Sequence, residues 1–176
     1  MPLINPTNTT ASYFGALNPG AALVIATGGL NGPLLAGWAQ LMSDGDVSGF
    51  LVFTDNVDAT HVQQAVVSLQ TLNSSAYAVW FDNTNSFSTA VALANISAQD
   101  ASVTLVIRDD TGAVLSTQPI FLKPLSHQSY SVPSQYPVTG KQRGTLEFDS
   151  PNGQISVLAL SFNPKSAFTS IPAISK

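Results

Sequence analysis

Cysteine is absent from this chain of 176 residues. That excludes disulfides, thiolate metal sites and cysteine nucleophiles together. Charge is scarce too: Asp, Glu, Lys and Arg make up 9% of the residues, against about 25% in ordinary soluble domains. Six residues are basic and the net charge is −4. A nucleic-acid surface needs many phosphate contacts from Lys and Arg, and an anionic lipid surface needs a basic cluster. The short run Lys141-Gln142-Arg143 supplies neither, so neither nucleic acid nor membrane insertion is expected. No apolar run approaches the ~18–20 residues of a membrane helix. The start, Met1-Pro2-Leu3-Ile4-Asn5, lacks a basic segment followed by an apolar one. If the protein is exported, its signal is expected upstream of this chain.

What is present points to strands. Phe50–Phe53, Ala90–Leu93, Val103–Ile107 and Ile155–Leu160 are short runs rich in β-branched, aliphatic or aromatic residues. Turn residues bound each run, at the roughly 8–12-residue rhythm of a sandwich or barrel. Prolines number 11 and glycines 12, which leaves little room for a long helix. The stretch from Ala59 to Leu72 has helical spacing at Val62, Ala65, Val66 and Leu69, but a strand over 64–70 is the expected form. Asp109 and Gly112 suit a type I turn followed by a left-handed residue, closing a hairpin. Asp44-Gly45 and Asn152-Gly153 are expected to close hairpins likewise. The fold class is therefore all-β: an antiparallel β-sandwich of about ten to twelve short strands in two sheets.

An internal pseudo-repeat organises the chain. Gly37–Leu41, Ser43, Gly45 and the apolar run to Phe53 match Gly144–Phe148, Ser150, Gly153 and the run to Leu160 at an offset of about 107 residues. Leu17-Asn18-Pro19 matches Leu122-Lys123-Pro124, and Leu3-Ile4-Asn5 matches Leu93-Ala94-Asn95 at a smaller offset. The first copy thus lacks an equivalent of the Val103–Ile107 strand and its turn. The expected organisation is a shortened N-terminal half, 1–73, and a complete C-terminal half, 74–176, sharing one core. The missing strand is expected to leave an open sheet edge in the first half.

The order Phe81-Asp82-Asn83-Thr84-Asn85, Val91–Asn95, Val103-Thr104 with Arg108–Gly112, Arg143–Phe148 and Phe162-Asn163-Pro164 resembles a repeated β-sandwich domain. That domain occurs in large secreted proteins of soil bacteria, notably acidobacteria. The likeness extends over about residues 36 to 174. It implies an extracellular, modular and non-catalytic protein with neighbouring domains in a longer chain. It carries no functional residues.

Chemistry-bearing residues are few. His61 and His127 are the two histidines, both in polar contexts, and no Gly-x-Ser-x-Gly elbow accompanies them. Glu147 and Asp149 lie on one face of a strand about Phe148, but solvated carboxylates explain that alternation better than an acid–base pair. Asp82, with Asn83, Thr84 and Asn85, offers closely spaced oxygens for calcium, against the competing reading that these side chains bond their own backbone. No other cofactor is expected. For carbohydrate, a sugar stacks its C–H groups on an exposed ring while amides read its hydroxyls. In Tyr77–Phe81, alternation turns Tyr77, Val79 and Phe81 inward and Trp80 outward, near Asn83 and Asn85. Tyr130 and Tyr136, flanking Pro133, are further candidates, whereas Trp38 is expected in the core. The expected function is a non-enzymatic accessory module binding polysaccharide or cell-surface glycan. The alternatives are a structural spacer or adhesion domain and a hydrolase with an unrecognised site.

Overall fold

The computed structural model describes residues 3–5, 8–10, 12–26, 37–56, 60, 62–70 and 74–176. The chain divides into two units, Met1–Ala39 and Gln40–Lys176. In the first, β1 (Leu3–Asn5) pairs antiparallel with β2 (Asn8–Thr10). Downstream, Ala21 donates its N–H to the Asn18 carbonyl at 3.0 Å across Pro19-Gly20. Gly20 has φ +76, the backbone a type II turn demands after proline.

The second unit contains the sandwich. Its strands are β3 (Phe50–Asn56), β4 (Val62–Ser68), β5 (Ala76–Asp82), β6 (Ser88–Asn95), β7 (Ala101–Asp109), β8 (Val114–Leu122), β9 (His127–Ser131), β10 (Arg143–Asp149), β11 (Ile155–Phe162), β12 (Phe168–Ile171) and β13 (Ile174–Ser175). Nine of them form two layers: a five-stranded sheet in the order β13-β5-β10-β7-β8, and a four-stranded sheet in the order β12-β11-β6-β9. Every pairing is antiparallel. The expected all-β sandwich is what forms, with β3 and β4 as a separate two-stranded hairpin beside it.

Period-two alternation builds the core. Tyr77, Val79 and Phe81 of β5, Val103, Leu105 and Ile107 of β7, and Leu146 and Phe148 of β10 are buried from one sheet. Val91 and Leu93 of β6 and Ile155, Val157 and Ala159 of β11 meet them from the other. Each large side chain removed from water contributes about 1.5–3 kcal/mol, which outweighs any preference of the intervening polar positions. On β7 and β10 the alternate residues, among them Thr104, Arg108, Thr145 and Glu147, line the outer face.

The connections mostly change sheets. β5 to β6, β6 to β7, β8 to β9 and β10 to β11 are corners, while β7–β8 and β11–β12 are hairpins. The Asp109–Gly112 turn closes the β7–β8 hairpin as expected. Asp109 Oδ1 accepts from the Thr111 and Ala113 N–H groups, each at 2.9 Å, and Gly112 has φ +88. Asn152-Gly153 does not close a hairpin. It turns a corner between sheets, because the N–H groups of Ser150 and Ile155 bond the carbonyls of Ser75 and Ser74 rather than one another. Nor does Asp44-Gly45: residues 37–49 form no strand, and Ser43 bonds Gly45 locally through its hydroxyl. Trp38 therefore lies half-buried in irregular chain, not in the core strand expected for it.

The β3–β4 hairpin confirms strand over helix for this stretch, with β4 spanning Val62–Ser68. Among the described residues β3 pairs with β4 alone. Ser170 Oγ donates to the Val66 carbonyl at 2.6 Å, and Gln70 exchanges bonds with Ser156 and Val157. Ala65 is the buried residue of β4.

Candidate functional site

The outer face of the five-stranded sheet carries two exposed aromatic rings, Trp80 on β5 and Phe121 on β8. Trp80 is 47% exposed at the centre of β5, while its neighbours Val79 and Phe81 are 1% and 0% exposed. In register, Trp80 stands opposite Thr145 of β10, and Thr145 stands opposite Arg108 of β7. The next row runs Ile174, Ala78, Glu147 and Val106. Cross-strand neighbours of this kind have their Cβ atoms about 4.5–5.5 Å apart. The Thr145 hydroxyl, the Glu147 carboxylate and the Arg108 guanidinium thus share this face with the indole.

Glu147 is paired with two cations on this face. Glu147 Oε1 accepts from Arg108 Nε at 3.3 Å, and its Oε2 lies 3.1 Å from Lys176 Nζ. Lys176, with Arg108 adding to it, holds the Glu147 carboxyl below the usual carboxylate range, against a smaller opposing effect of burial. A general acid needs the opposite shift. Arg143 Nε binds Asp110 Oδ2 at 2.8 Å, and that bond holds its guanidinium above its ordinary value. Asp149 is exposed on the same strand, with Phe148 buried between it and Glu147.

The residues singled out from sequence separate. Trp80 faces solvent, as the alternation predicts. Asn83 is buried and its amide is used internally: Nδ2 donates to the carbonyl and hydroxyl oxygens of Thr139, and Oδ1 accepts the Thr89 N–H at 2.8 Å. It is a corner brace with no amide left to read a ligand. Asn85 is exposed in the same corner at φ +50. Asp82 Oδ1 accepts from the N–H and hydroxyl of Thr84 at 2.8 and 2.7 Å, the local Asx-turn chemistry that competes with a cation. Among the described residues, no three His, Asp or Glu side chains converge as a metal site.

Tyr130 and Tyr136 lie away from Trp80 and do not form an exposed pair. Tyr130 is on β9 opposite Val91, and both rings pack against the core. They meet edge to face, with centroids 5.6 Å apart and planes at 86°. Burial pushes the Tyr130 phenol far above its ordinary value. The segment between them makes one helical turn, Val132–Gln135, with Pro133 in its first turn, and a 3-10 turn, Pro137–Thr139. Proline there is preorganised for the helix, and Val132 drives the segment inward as a fully buried residue. His127 is exposed at the start of β9, and His61 lies outside the described residues.

Sequence reasoning missed Thr145 as the cross-strand neighbour of Trp80 and Arg108 and Lys176 as the partners of Glu147 on the same face. The outward alternation in Arg143–Asp149 marks Thr145 and Glu147, but only the strand order puts β10 next to β5. Comparison with protein-family models, curated proteins and solved structures finds no match to this chain.

Proposed function

We propose that this chain is a non-catalytic binding module of a secreted bacterial protein, engaging polysaccharide through the sheet face around Trp80. One observation carries the reading: a half-exposed tryptophan on a strand-built surface, with the Thr145 hydroxyl opposite it in register. A ring with its face free offers stacking for the C–H groups of a sugar, and Thr145, directly opposite, offers a hydroxyl to the sugar's own. The rigid sheet keeps the ordering cost of binding small. The scarcity of charge and the likeness to secreted repeat domains support an extracellular setting. The lowered Glu147 carboxyl, held by two cations, speaks against a glycoside-hydrolysing pair.

The test is retention on a panel of insoluble and soluble polysaccharides, wild type against Trp80→Ala. Tryptophan at the centre of a binding face commonly supplies more than about 2 kcal/mol, so retention on the bound polymer should fall at least about tenfold. Unchanged retention in Trp80→Ala, or no retention by the wild type on any polymer, overturns the proposal. A spacer role is the second reading, favoured by the β3–β4 hairpin, where Phe50 and Val62 are 68% and 59% exposed. A two-stranded hairpin is marginal without a covering layer, and a neighbouring domain would provide one.

A further inference from the structure

A second feature lies at the end of the sandwich where β5 begins. There a cleft of about 430 Å³ is lined by Ser75, Ser97, Gln99, Asn152, Gly153 and Gln154, with Pro151 at its side. None of these residues is charged. Three carboxamides and the Ser75 hydroxyl line it from three chain segments, the entry to β5, the β6–β7 loop and the β10–β11 corner, while the Ser97 hydroxyl bonds Asn95 and Gln99.

The segments are fastened to one another through their backbones. Ser150 donates its N–H to the Ser75 carbonyl at 2.7 Å, and Ile96 donates to the Gln154 carbonyl at 3.1 Å. Buried Asn95 anchors the loop: its Oδ1 accepts from the N–H and hydroxyl of Ser97, and its Nδ2 donates to Gln99 O and Lys123 O. The rim is therefore preorganised while its amides are uncommitted. Asn83, Asn95, Gln63, Gln64, Gln70, Gln118 and Gln128 all spend their amides on protein partners. No intramolecular hydrogen bond of the Gln99, Asn152 or Gln154 side chain is formed among the described residues. Amides and hydroxyls without charge match a ligand that both donates and accepts and is itself neutral. A phosphate or carboxylate would find no cation here.

The position of the cleft relates it to Trp80. Ser75 precedes β5 and Trp80 lies five residues on, about 17 Å along an extended strand. Between them the outer face of β5 presents only Ala76 and Ala78, beneath the mutually neutralised Glu147–Lys176 pair. We infer that the cleft is a second sugar-binding contact, and that the ligand is a linear, uncharged glycan long enough to reach from Trp80 to Gln99, Asn152 and Gln154. The identity of the ligand as a glycan rests on the function proposed above.

The experiment uses the whole chain against neutral polymers (cellulose, xylan, mannan, β-1,3-glucan) and anionic ones (polygalacturonate, alginate). Short and long oligosaccharides of the retained polymer are then titrated calorimetrically into wild type, Trp80→Ala and the triple variant Gln99→Ala/Asn152→Ala/Gln154→Ala. Thermal melting confirms that the exposed-site variants are folded. The expected result is retention on a neutral polymer and tighter binding of long oligosaccharides than short ones. The triple variant should lose that length advantage, about tenfold in Kd, yet bind short oligosaccharides as wild type does. Trp80→Ala should weaken both. If Trp80→Ala weakens binding but the triple variant keeps the full length advantage, the cleft inference is overturned and the Trp80 reading stands. Retention on anionic polymers alone overturns the neutral-ligand assignment. A triple variant that fails while Trp80→Ala binds normally overturns the shared chain and the Trp80 reading together. No retention on any polymer overturns both proposals.

Discussion

Glu147 and Lys176 meet across a strand that belongs to neither of them. Their carboxylate and ammonium are 3.1 Å apart, although β5 lies between β10 and β13. The contact is open because β5 presents Ala78 beneath it: a larger outward side chain would hold the two apart. Since the folded carboxyl titrates below its ordinary value of 4.5, the pair stabilises the fold above that pH. The contribution fades as pH falls through the folded value. Glu147→Gln should therefore melt at a lower temperature than wild type at neutral pH and converge on it in acid. Thermal melting across pH checks this, and a constant gap would count against the pairing. Raised salt should narrow the gap at neutral pH, because both groups are partly solvated.

Asn95 is fully buried and holds three carbonyls, those of Gln99, Leu122 and Lys123, through one Nδ2. Asn95→Ala leaves them and the Ser97 donors short of partners in a place water reaches poorly. The expected loss is about 3 kcal/mol, measured by denaturant unfolding. The same burial predicts that the Asn95-Ile96-Ser97 sequon stays unmodified when the folded chain is offered to an oligosaccharyltransferase. Mass spectrometry reads that outcome.

Gly144 is required by strand spacing rather than by backbone freedom. A Cβ there would fall on the Arg108 carbonyl oxygen and crowd Asp109 C at 2.7 Å. Gly144→Ala should force β10 and β7 apart at one end and cost more than about 2 kcal/mol. A soluble variant with an unchanged unfolding midpoint would show that the strands do not approach so closely.

Ser150 is the opposite case. It is fully buried, and its Oγ has no hydrogen-bond partner among the described residues. Removing an unsatisfied buried hydroxyl removes its desolvation cost. Ser150→Ala should be neutral or stabilising by up to about 1 kcal/mol, read as a rise in the urea midpoint with unchanged slope. A loss of stability would reveal a partner for the hydroxyl.

Much of this molecule follows from local pattern. Alternation in Tyr77–Phe81 was enough to turn Trp80 outward, because three apolar residues on one side of a strand outweigh one on the other. The Asp109–Gly112 turn was legible because its chemistry is complete within five residues. Asn83, Tyr130 and Tyr136 were not legible as internal residues. Each is polar or amphipathic beside turn residues, and their burial depends on partners — Thr139, Thr89 and the core under β9 — that lie tens of residues away in the chain or on another strand. The second repeat turn misled for the same reason: Ser150-Pro151-Asn152-Gly153 looks like a hairpin, yet whether a turn closes one sheet or joins two depends on where Ser74 and Ser75 lie.

The sequence by itself determined that the chain is all-β, which residues face inward along Tyr77–Phe81, and that charge plays a small part. Those properties are periodic and local, and burying apolar area decides them. Tertiary structure alone decided that β10 lies beside β5, which gathers Trp80, Thr145, Arg108 and Glu147 on one face, and that two loops bring Gln99, Asn152 and Gln154 to one cleft. Strand order is a matter of which edges pair across long separations. Backbone hydrogen bonds are alike at every edge, so only the packing of the assembled core selects among them.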